Sequence, residues 1–294
     1  MIDFKIIKSL IKGILTFIPG FSPILRLRKI KSEHSCSDAF FCYNLWLRIM
    51  VNLHEKGFGE HLSRVGEIGN GRSFGVGLCA LLSGSKEYFA FEIDNTFDPE
   101  LNIKLLDELL VLFRMRTPIS EQPRINIGVN SLEYPDQIIK PKYLDSYFVE
   151  EIRKDILHRP GEILHLVSDW QNHSSLGLDL IFSRAVMEHV ADPSAVYQSA
   201  VFHLVEEGIM IHDIELHSHG VTTIPDRHYD IPDCFWRIIF GKREYFLNRW
   251  NLSDHIEKIS RLNCQVLATE VKSFNNKNGR QILTGASLIV KKSG

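Results

Sequence analysis

The stretch Arg64-Val65-Gly66-Glu67-Ile68-Gly69-Asn70-Gly71-Arg72-Ser73-Phe74 decides the fold. It starts as a short apolar strand and breaks into a glycine-rich turn. The apolar run from Phe74 to Leu82 then predicts a helix, stopped at Gly84. Strand, tight turn and helix in this order open a nucleotide-cofactor site. Glycines let the backbone approach a ligand that a Cβ would repel, and the helix N-terminus leaves free N–H groups pointing to the same place. A dinucleotide fingerprint needs G-x-G-x-x-G, but Phe74 stands where the third Gly belongs. Glu67 precedes the first Gly by two residues. An acid there can hold the turn through backbone N–H groups; it suits a cationic ligand and would repel a diphosphate.

The segments that follow fit an open α/β sheet. Tyr88 to Phe91 predicts a second strand ending at Glu92 and Asp94. An acid in that place can accept both ribose hydroxyls of an adenosine, and the spacing from Gly84 favours Glu92 over Asp94. Helices are expected over Ile103–Arg116 and Tyr147–Leu157, separated by a stretch punctuated by Pro118, Pro123, Pro135 and Pro141. Glu162 to Val167 predicts a third strand, followed by Asp169 and Trp170. Leu178 to Pro193 reads Leu-Asp-Leu-Ile-Phe-Ser-Arg-Ala-Val-Met-Glu-His-Val-Ala-Asp-Pro. Its strand delivers Ser183, Arg184 and Ala185 to the carboxyl end, where ligands bind in such sheets. Asp192-Pro193 begins the next helix with a cap and an N1 proline.

The Glu67-x-Gly69-x-Gly71-x-Ser73 pattern resembles motif I of the class I S-adenosylmethionine-dependent methyltransferases, with Ser73 at the third Gly. Leu178–Pro193, with Glu188-His189-Val190, resembles their motif IV and the turn after it. The two segments stand about a hundred residues apart and in the family's order. The resemblance implies a Rossmann-like α/β fold, a mostly parallel sheet with an antiparallel C-terminal strand, and S-adenosylmethionine as cofactor. It places Glu67, Gly69, Gly71, Ser73, Glu92 or Asp94, Asp169, Trp170, Ser183 and Arg184 around that cofactor, with Asp169 facing the adenine amino group and Trp170 available to stack on the ring. Leu204–Glu215 continues the pattern as a helix end, a turn at Gly208 and a strand. Gln265–Lys272 and Ile282–Lys291 would form the antiparallel hairpin closing the sheet.

Residues 1–60 read as an N-terminal helical extension or cap, and 61–294 as the catalytic domain, with insertions near 97–160 and 216–262. In the extension, Phe4, Ile7, Leu10, Ile11, Ile14 and Ile18 recur at helical spacing, with Lys5, Lys8 and Lys12 on the opposite face. The run is too short to span a bilayer, and no small-residue cleavage site follows, which argues against a signal peptide. Two readings stay open: an interfacial helix on an anionic membrane, or a helix docked on its own domain or a second subunit, which also leaves a homo-oligomer open. Residues 39–56 predict an aromatic-rich helix covering the cofactor mouth.

The chain has 294 residues, 44% hydrophobic and 24% charged, with a formal net charge of −2. No global field favours nucleic acid, and no nucleic-acid motif is present. Five cysteines, odd in number and without a C-x-x-C, point away from a disulfide framework or zinc site and toward a reducing cytosol; peripheral contact with the inner face of the membrane would run through residues 1–32. For catalysis His189, His217 and His219 are the candidate bases. Asp213, Glu215, His217 and His219 alternate and would share one side of a strand, a ligand-like pattern. The quinone-ring O-methyltransferases carry an acid three residues before the Glu of Glu-His-Val; Ala185 stands there, so that metal site is incomplete and no metal is expected. Ile214-Glu215-Leu216-His217-Ser218-His219 resembles an Ile-Asp-Leu-Arg-Asp-His segment of bacterial methyltransferases linked to surface glycans. This implies a sugar hydroxyl in a glycan or glycolipid as acceptor, with a small metabolite as the alternative. An NAD(P)-dependent oxidoreductase and a non-catalytic partner subunit are the competing classes.

Overall fold

The computed structural model describes residues 3–18, 37–58, 62–92, 97–122, 124–139, 144–158, 161–242, 246–276 and 279–294. Helices are α1 (Phe4–Leu15), α2 (Ala39–Glu55), α3 (Gly75–Leu82), α4 (Pro99–Arg114), α5 (Ser146–Leu157), α6 (Pro193–His203), α7 (Asp233–Phe240) and α8 (Leu252–Ser260). Strands are β1 (Arg64–Ile68), β2 (Glu87–Phe91), β3 (Leu164–Val167), β4 (Leu178–Arg184), β5 (Leu204–Glu215), β6 (Cys264–Asn275) and β7 (Gln281–Lys292). They form one sheet in the order β3-β2-β1-β4-β5-β7-β6. β1 pairs in parallel with β2 and β4, β2 with β3, and β4 with β5. β7 runs antiparallel to both β5 and β6, so the expected closing hairpin is present. The strand order reverses between β1 and β4, and the crevice outside their carboxyl ends is where such sheets bind ligands.

The central strands are near-continuous apolar runs because helices cover both faces. Val65 through Ile68 are buried in β1, and Leu180 through Ser183 in β4. α2 is deeply enclosed: Phe41 through Leu53 are all buried. Burying each Leu, Ile or Met there contributes about 1.5–3 kcal/mol. Its polar residues are paired with the 97–160 insertion: Arg48 donates to the Ile127 and Ser120 carbonyls at 3.0 and 2.8 Å, and Asn52 to the Gly128 carbonyl at 2.9 Å. α2 is thus a core helix that the insertion wraps. The expected cover over the cofactor mouth is a correction, since α2 packs on α3 and α4.

One further expectation changes. β5 starts at Leu204, directly after α6, so Val205–Gly208 is not a helix end and turn. The extra residues form a bulge, pairing Leu178 with Leu204 and then Leu180 with Ile209, and Glu207 takes a left-handed φ of 64°. Of the two readings left open for α1, the helix takes the docked one, on its own domain. It docks on α7 through Ile6, Leu10 and Gly13, where a Cβ on Gly13 would meet the Ile238 carbonyl oxygen at 1.8 Å. Asp3 caps α1 and also accepts from the Thr223 N–H at 2.7 Å. The other side of the helix faces outward, with Phe4 81%, Ile11 54% and Ile14 55% exposed.

Candidate active site

The turn after β1 is held from both sides. Gly69 and Gly71 have φ of 74° and 66°, a region that costs other residues roughly 1–2 kcal/mol. The Gly69 N–H donates to the Phe91 carbonyl at 2.9 Å, and the Gly71 N–H donates to the Glu92 carboxylate at 3.0 Å. Buried Asn70 turns its amide onto the Ser73 carbonyl at 3.2 Å. Glu92, at the end of β2, therefore holds the turn, the task expected of Glu67. Glu67 instead lies buried and accepts from the Tyr88 hydroxyl; burial pushes its carboxyl up to about 8. Not every N–H at the start of α3 is free either, because Phe74 donates to Asn102 Oδ1 at 2.7 Å. Ser73 is buried beside it.

A cavity of about 490 Å3 opens at this point, bordered by Gly69, Glu92, Asp169, Trp170, Val186 and His189. Its size suits one small-molecule ligand. β1, β2 and β3 bring the first four of these together by ending side by side, as the sequence predicts. The Trp170 ring stacks on Phe91 with centroids 4.8 Å apart, and its carbonyl accepts from His203 Nε2 at 2.7 Å. A Cβ on Gly69 would meet Val186 Cγ2 at 2.5 Å, so the bare backbone at Gly69 is what lets the turn lie against this wall. Asp94 lies outside the described residues. Ser183 and Arg184 do not border the cavity. Ser183 Oγ is 2.8 Å from His212 Nδ1 in the core, where burial drives His212 down to about 3. Arg184 points to the far side, donating to the Arg124 carbonyl at 2.8 Å and lying 3.4 Å from Glu215.

Beyond His189 lies a second group of polar side chains. His217 and His219 stack at 4.4 Å, and the His219 ring meets His189 edge-on at 5.0 Å. Nε2 of His217 and of His219 lie 3.2 and 3.5 Å from Glu215 Oε2. Burial would raise the Glu215 carboxyl, but the His217 hydrogen bond, His219 and Arg184 outweigh it and bring it to about 2. Burial, helped by His217, lowers His219 to about 4. All three predicted histidines are thus brought together, though by a different route from the one expected. β5 ends at Glu215, and His219 sits in a turn with φ of 49°. Asp213 does not join them: it is buried and accepts from the Asn126 N–H at 3.1 Å. Sequence reading missed three members. Glu188 was quoted only as part of a motif, yet it is 3% exposed. Phe246 and Asn248 clamp the Glu188-His189 turn, with His189 Nδ1 2.8 Å from the Phe246 carbonyl and Asn248 donating to the Met187 carbonyl at 2.7 Å. Nothing local in the sequence marks either residue.

No family model matches the chain, and no curated protein matches it. The strand order, the reversed β7 and the glycine turn at the switch point decide the architecture. The chain has a Rossmann-like α/β fold whose mostly parallel sheet is closed by an antiparallel strand. Among solved structures it is similar to an S-adenosylmethionine-dependent methyltransferase from Clostridium acetobutylicum, at 13% identity over 85% of this chain and 92% of that one, TM-score 0.44. It is also similar to one from Methanosarcina mazei, at 13% identity over 78% and 92%, TM-score 0.42. A third is the magnesium protoporphyrin IX methyltransferase of Synechocystis with bound S-adenosylhomocysteine, at 10% identity over 83% and 80%, TM-score 0.44. Likenesses of this degree carry no argument about activity, so function rests on this chain's own residues.

Proposed function

We propose that this protein is an S-adenosylmethionine-dependent methyltransferase acting on a hydroxyl acceptor, a sugar of a surface glycan or glycolipid. The observation that carries the reading is the cavity at the β1–β4 switch point, with the carboxylate of Glu92 on one wall and Asp169 and Trp170 on another. In this reading Glu92 accepts ribose hydroxyls, and Asp169 accepts from an adenine amino group. Gly69 and Gly71 leave room for the amino-acid portion, and Glu67 and Ser73 support the turn from behind. Bound there, the cofactor supplies a methyl group activated by a sulfonium. The acceptor's oxygen–methyl bond forms as the methyl–sulfur bond breaks, and the hydroxyl proton leaves to a base. His189 borders both the cofactor cavity and the histidine–carboxylate group. This supports His189, His217 and His219 as the candidate bases for the acceptor hydroxyl, with ionised Glu215 to stabilise positive charge on the imidazoles. The sugar acceptor rests on the resemblance of residues 214–219. Calorimetric titration tests the cofactor: S-adenosylhomocysteine should bind and NAD should not. Binding of NAD alone would turn the reading to an oxidoreductase. Transfer of labelled methyl to cell-surface glycans, absent with a pool of small metabolites, tests the acceptor.

The outward side of α1 favours a peripheral role at an anionic membrane. Phe4, Ile7, Ile11 and Ile14 are exposed, and so are Lys5, Lys8 and Lys12. Apolar area and lysines on one helix suit a lipid interface, while Ile6 and Leu10 keep the helix on its own domain. Each lysine near such a surface is worth about 1 kcal/mol. Changing Lys5, Lys8 and Lys12 together to Glu should abolish co-sedimentation with anionic vesicles. Ile7→Asp should do the same without lowering Tm, whereas Leu10→Asp should lower Tm. Failure of the wild type to sediment with anionic vesicles would end this part of the reading.

A further inference from the structure

We infer that Glu188, His189 and His219, with Glu215 beside them, form a binding site for one divalent transition-metal ion, and that its open positions take the acceptor's oxygens. The site stands on geometry alone; its assignment to the acceptor rests on the methyl transfer proposed above. One ligand atom from each of Glu188, His189 and His219 lies within 4.8 Å of the others, and the same holds for Glu215, His217 and His219. Ligands about 2.0–2.2 Å from one ion sit roughly 3–4 Å apart, so small side-chain rotations close the set.

Three observations point to a cation rather than to a chance cluster. The first is Glu188. Its side chain is 3% exposed, and neither carboxylate oxygen has a hydrogen-bond partner among the described residues. Burying that carboxylate ionised costs several kcal/mol in general, a cost that either a proton or a bound cation removes. Glu188 Oε1 lies 3.8 Å from His189 Nε2, so the carboxylate is directed at the histidines. The second is the orientation of His189. Its Nδ1 donates to the Phe246 carbonyl at 2.8 Å, which fixes the tautomer with the lone pair on Nε2. This is the outer-shell arrangement that orients metal-bound histidines. The third is the backbone. Ala185 and His219, at the edges of the group, hold φ of 53° and 49°, a cost that persists where the surroundings enforce a site.

His217 plays another part. The His219 N–H donates to His217 Nδ1 at 3.0 Å, which turns Nε2–H toward Glu215. His217 is therefore a positioning residue for Glu215 and not a ligand. Two imidazoles and one or two carboxylates suit Zn2+, Mn2+, Fe2+ or Co2+ better than Mg2+ or Ca2+, which prefer oxygen alone. Three protein ligands leave positions open, and the His189 side of the site opens on the cofactor cavity. A vicinal diol of a sugar could occupy two such positions. Coordination would lower the pKa of a bound hydroxyl, so with the ion in place the proton would be lost to water and His189 and His219 would serve as ligands instead of bases.

The test uses the full chain, stripped with chelator and titrated with Co2+ by calorimetry and visible absorption. One Co2+ per chain should bind, with ligand-field bands in the visible, and Zn2+ should displace it. Glu188→Gln and His219→Asn should each weaken Co2+ binding at least tenfold; Asn tolerates the left-handed backbone at 219. Their thermal unfolding is followed in parallel, so that a folded variant is compared with a folded wild type. Absence of Co2+ and Zn2+ uptake by the wild type, or uptake unchanged in both variants, overturns the inference. S-adenosylhomocysteine is titrated separately: if it binds and metal does not, the methyltransferase reading stands and the metal site falls. If metal binds and S-adenosylhomocysteine does not, the site stands and the methyltransferase reading falls.

Discussion

The two ends of the candidate active site are built in different ways. At the cofactor end, Gly69, Glu92 and Asp169 each follow a strand, and the strands are neighbours. Parallel pairing of β1 with β2 and β2 with β3 is enough to bring them together. At the histidine end, Glu188 and His189 follow β4, Glu215 ends β5 and His219 follows it, and the turn after β4 is held by Phe246 and Asn248 from the 216–262 insertion. The Asn248 N–H donates to the Glu188 carbonyl at 2.8 Å, so this end depends on a segment outside the common sheet. A site made by strand ends alone tolerates change in the insertions; one clamped by an insertion does not. The strand-end part lies where this architecture receives a ligand, and the histidine end carries what is particular to this chain.

The sharpest break between the two ends comes at Gly69. Gly69→Val forces a branched side chain into φ of 74° and drives its Cβ to 2.5 Å from Val186 Cγ2. The backbone cost alone is about 1–3 kcal/mol. S-adenosylhomocysteine binding should be abolished, while Co2+ uptake at the histidine end should persist in the folded fraction. A folded variant with unchanged affinity by calorimetry would remove Gly69 from the site.

Next in size is Glu92→Ala. It removes the acceptor of the Gly71 N–H together with the carboxylate on the cavity wall. Losing hydrogen bonds to a charged group costs roughly 2–3 kcal/mol, a factor of about 30 to 150 in affinity. Asp94→Ala should cost less, and the reverse order would move the ribose acid to Asp94. Metal binding should not respond to either change, which keeps the two ends separable.

Much of this fold was legible because its signals are local. Gly69 and Gly71 require positive φ, Asp192-Pro193 caps α6, and Asp192 does accept from the Ser194 and Ala195 N–H groups. Strand ends could be read one at a time. What the sequence hid were contacts between distant segments. Glu92, and not Glu67, holds the glycine turn because Tyr88 reaches back from β2 to Glu67. Ser183 and Arg184 stand at the right strand end, but the pleat sends Ser183 into the core toward His212 and Arg184 toward Glu215. Alternation along β5 predicted one shared side for Asp213, Glu215, His217 and His219. The strand stops before the histidines, so a turn, and not the pleat, assembles them.

The slowest-building effect, small at any one pH, is a difference in pH response between two buried groups, Glu67 behind the glycine turn and His212 behind the histidine end. Glu67 has its pKa raised from 4.5 to about 8 by burial. Between those values the folded protein holds a proton that the unfolded chain has lost, so this group's contribution falls as pH rises through the window. His212 is lowered from 6.5 to about 3, again by burial. Between those values the unfolded chain holds a proton that the folded one excludes, so stability is lost as pH falls through that window. Each group sets a slope of at most about 1.4 kcal/mol per pH unit, and near pH 5.5 the two oppose each other. Glu67→Gln keeps a side-chain partner for the Tyr88 hydroxyl and removes the alkaline loss, so its Tm should gain on the wild type steadily from pH 5 to pH 8. His212→Asn removes the acid loss, so its Tm, whatever its value at pH 7, should decline less than the wild type's from pH 6.5 to pH 5. Thermal unfolding of the three proteins over pH 5–8 measures both slopes. A Glu67→Gln curve parallel to the wild type's would mean that Glu67 is ionised in the folded protein, and that the carboxylate behind the turn carries a charge facing the cofactor end.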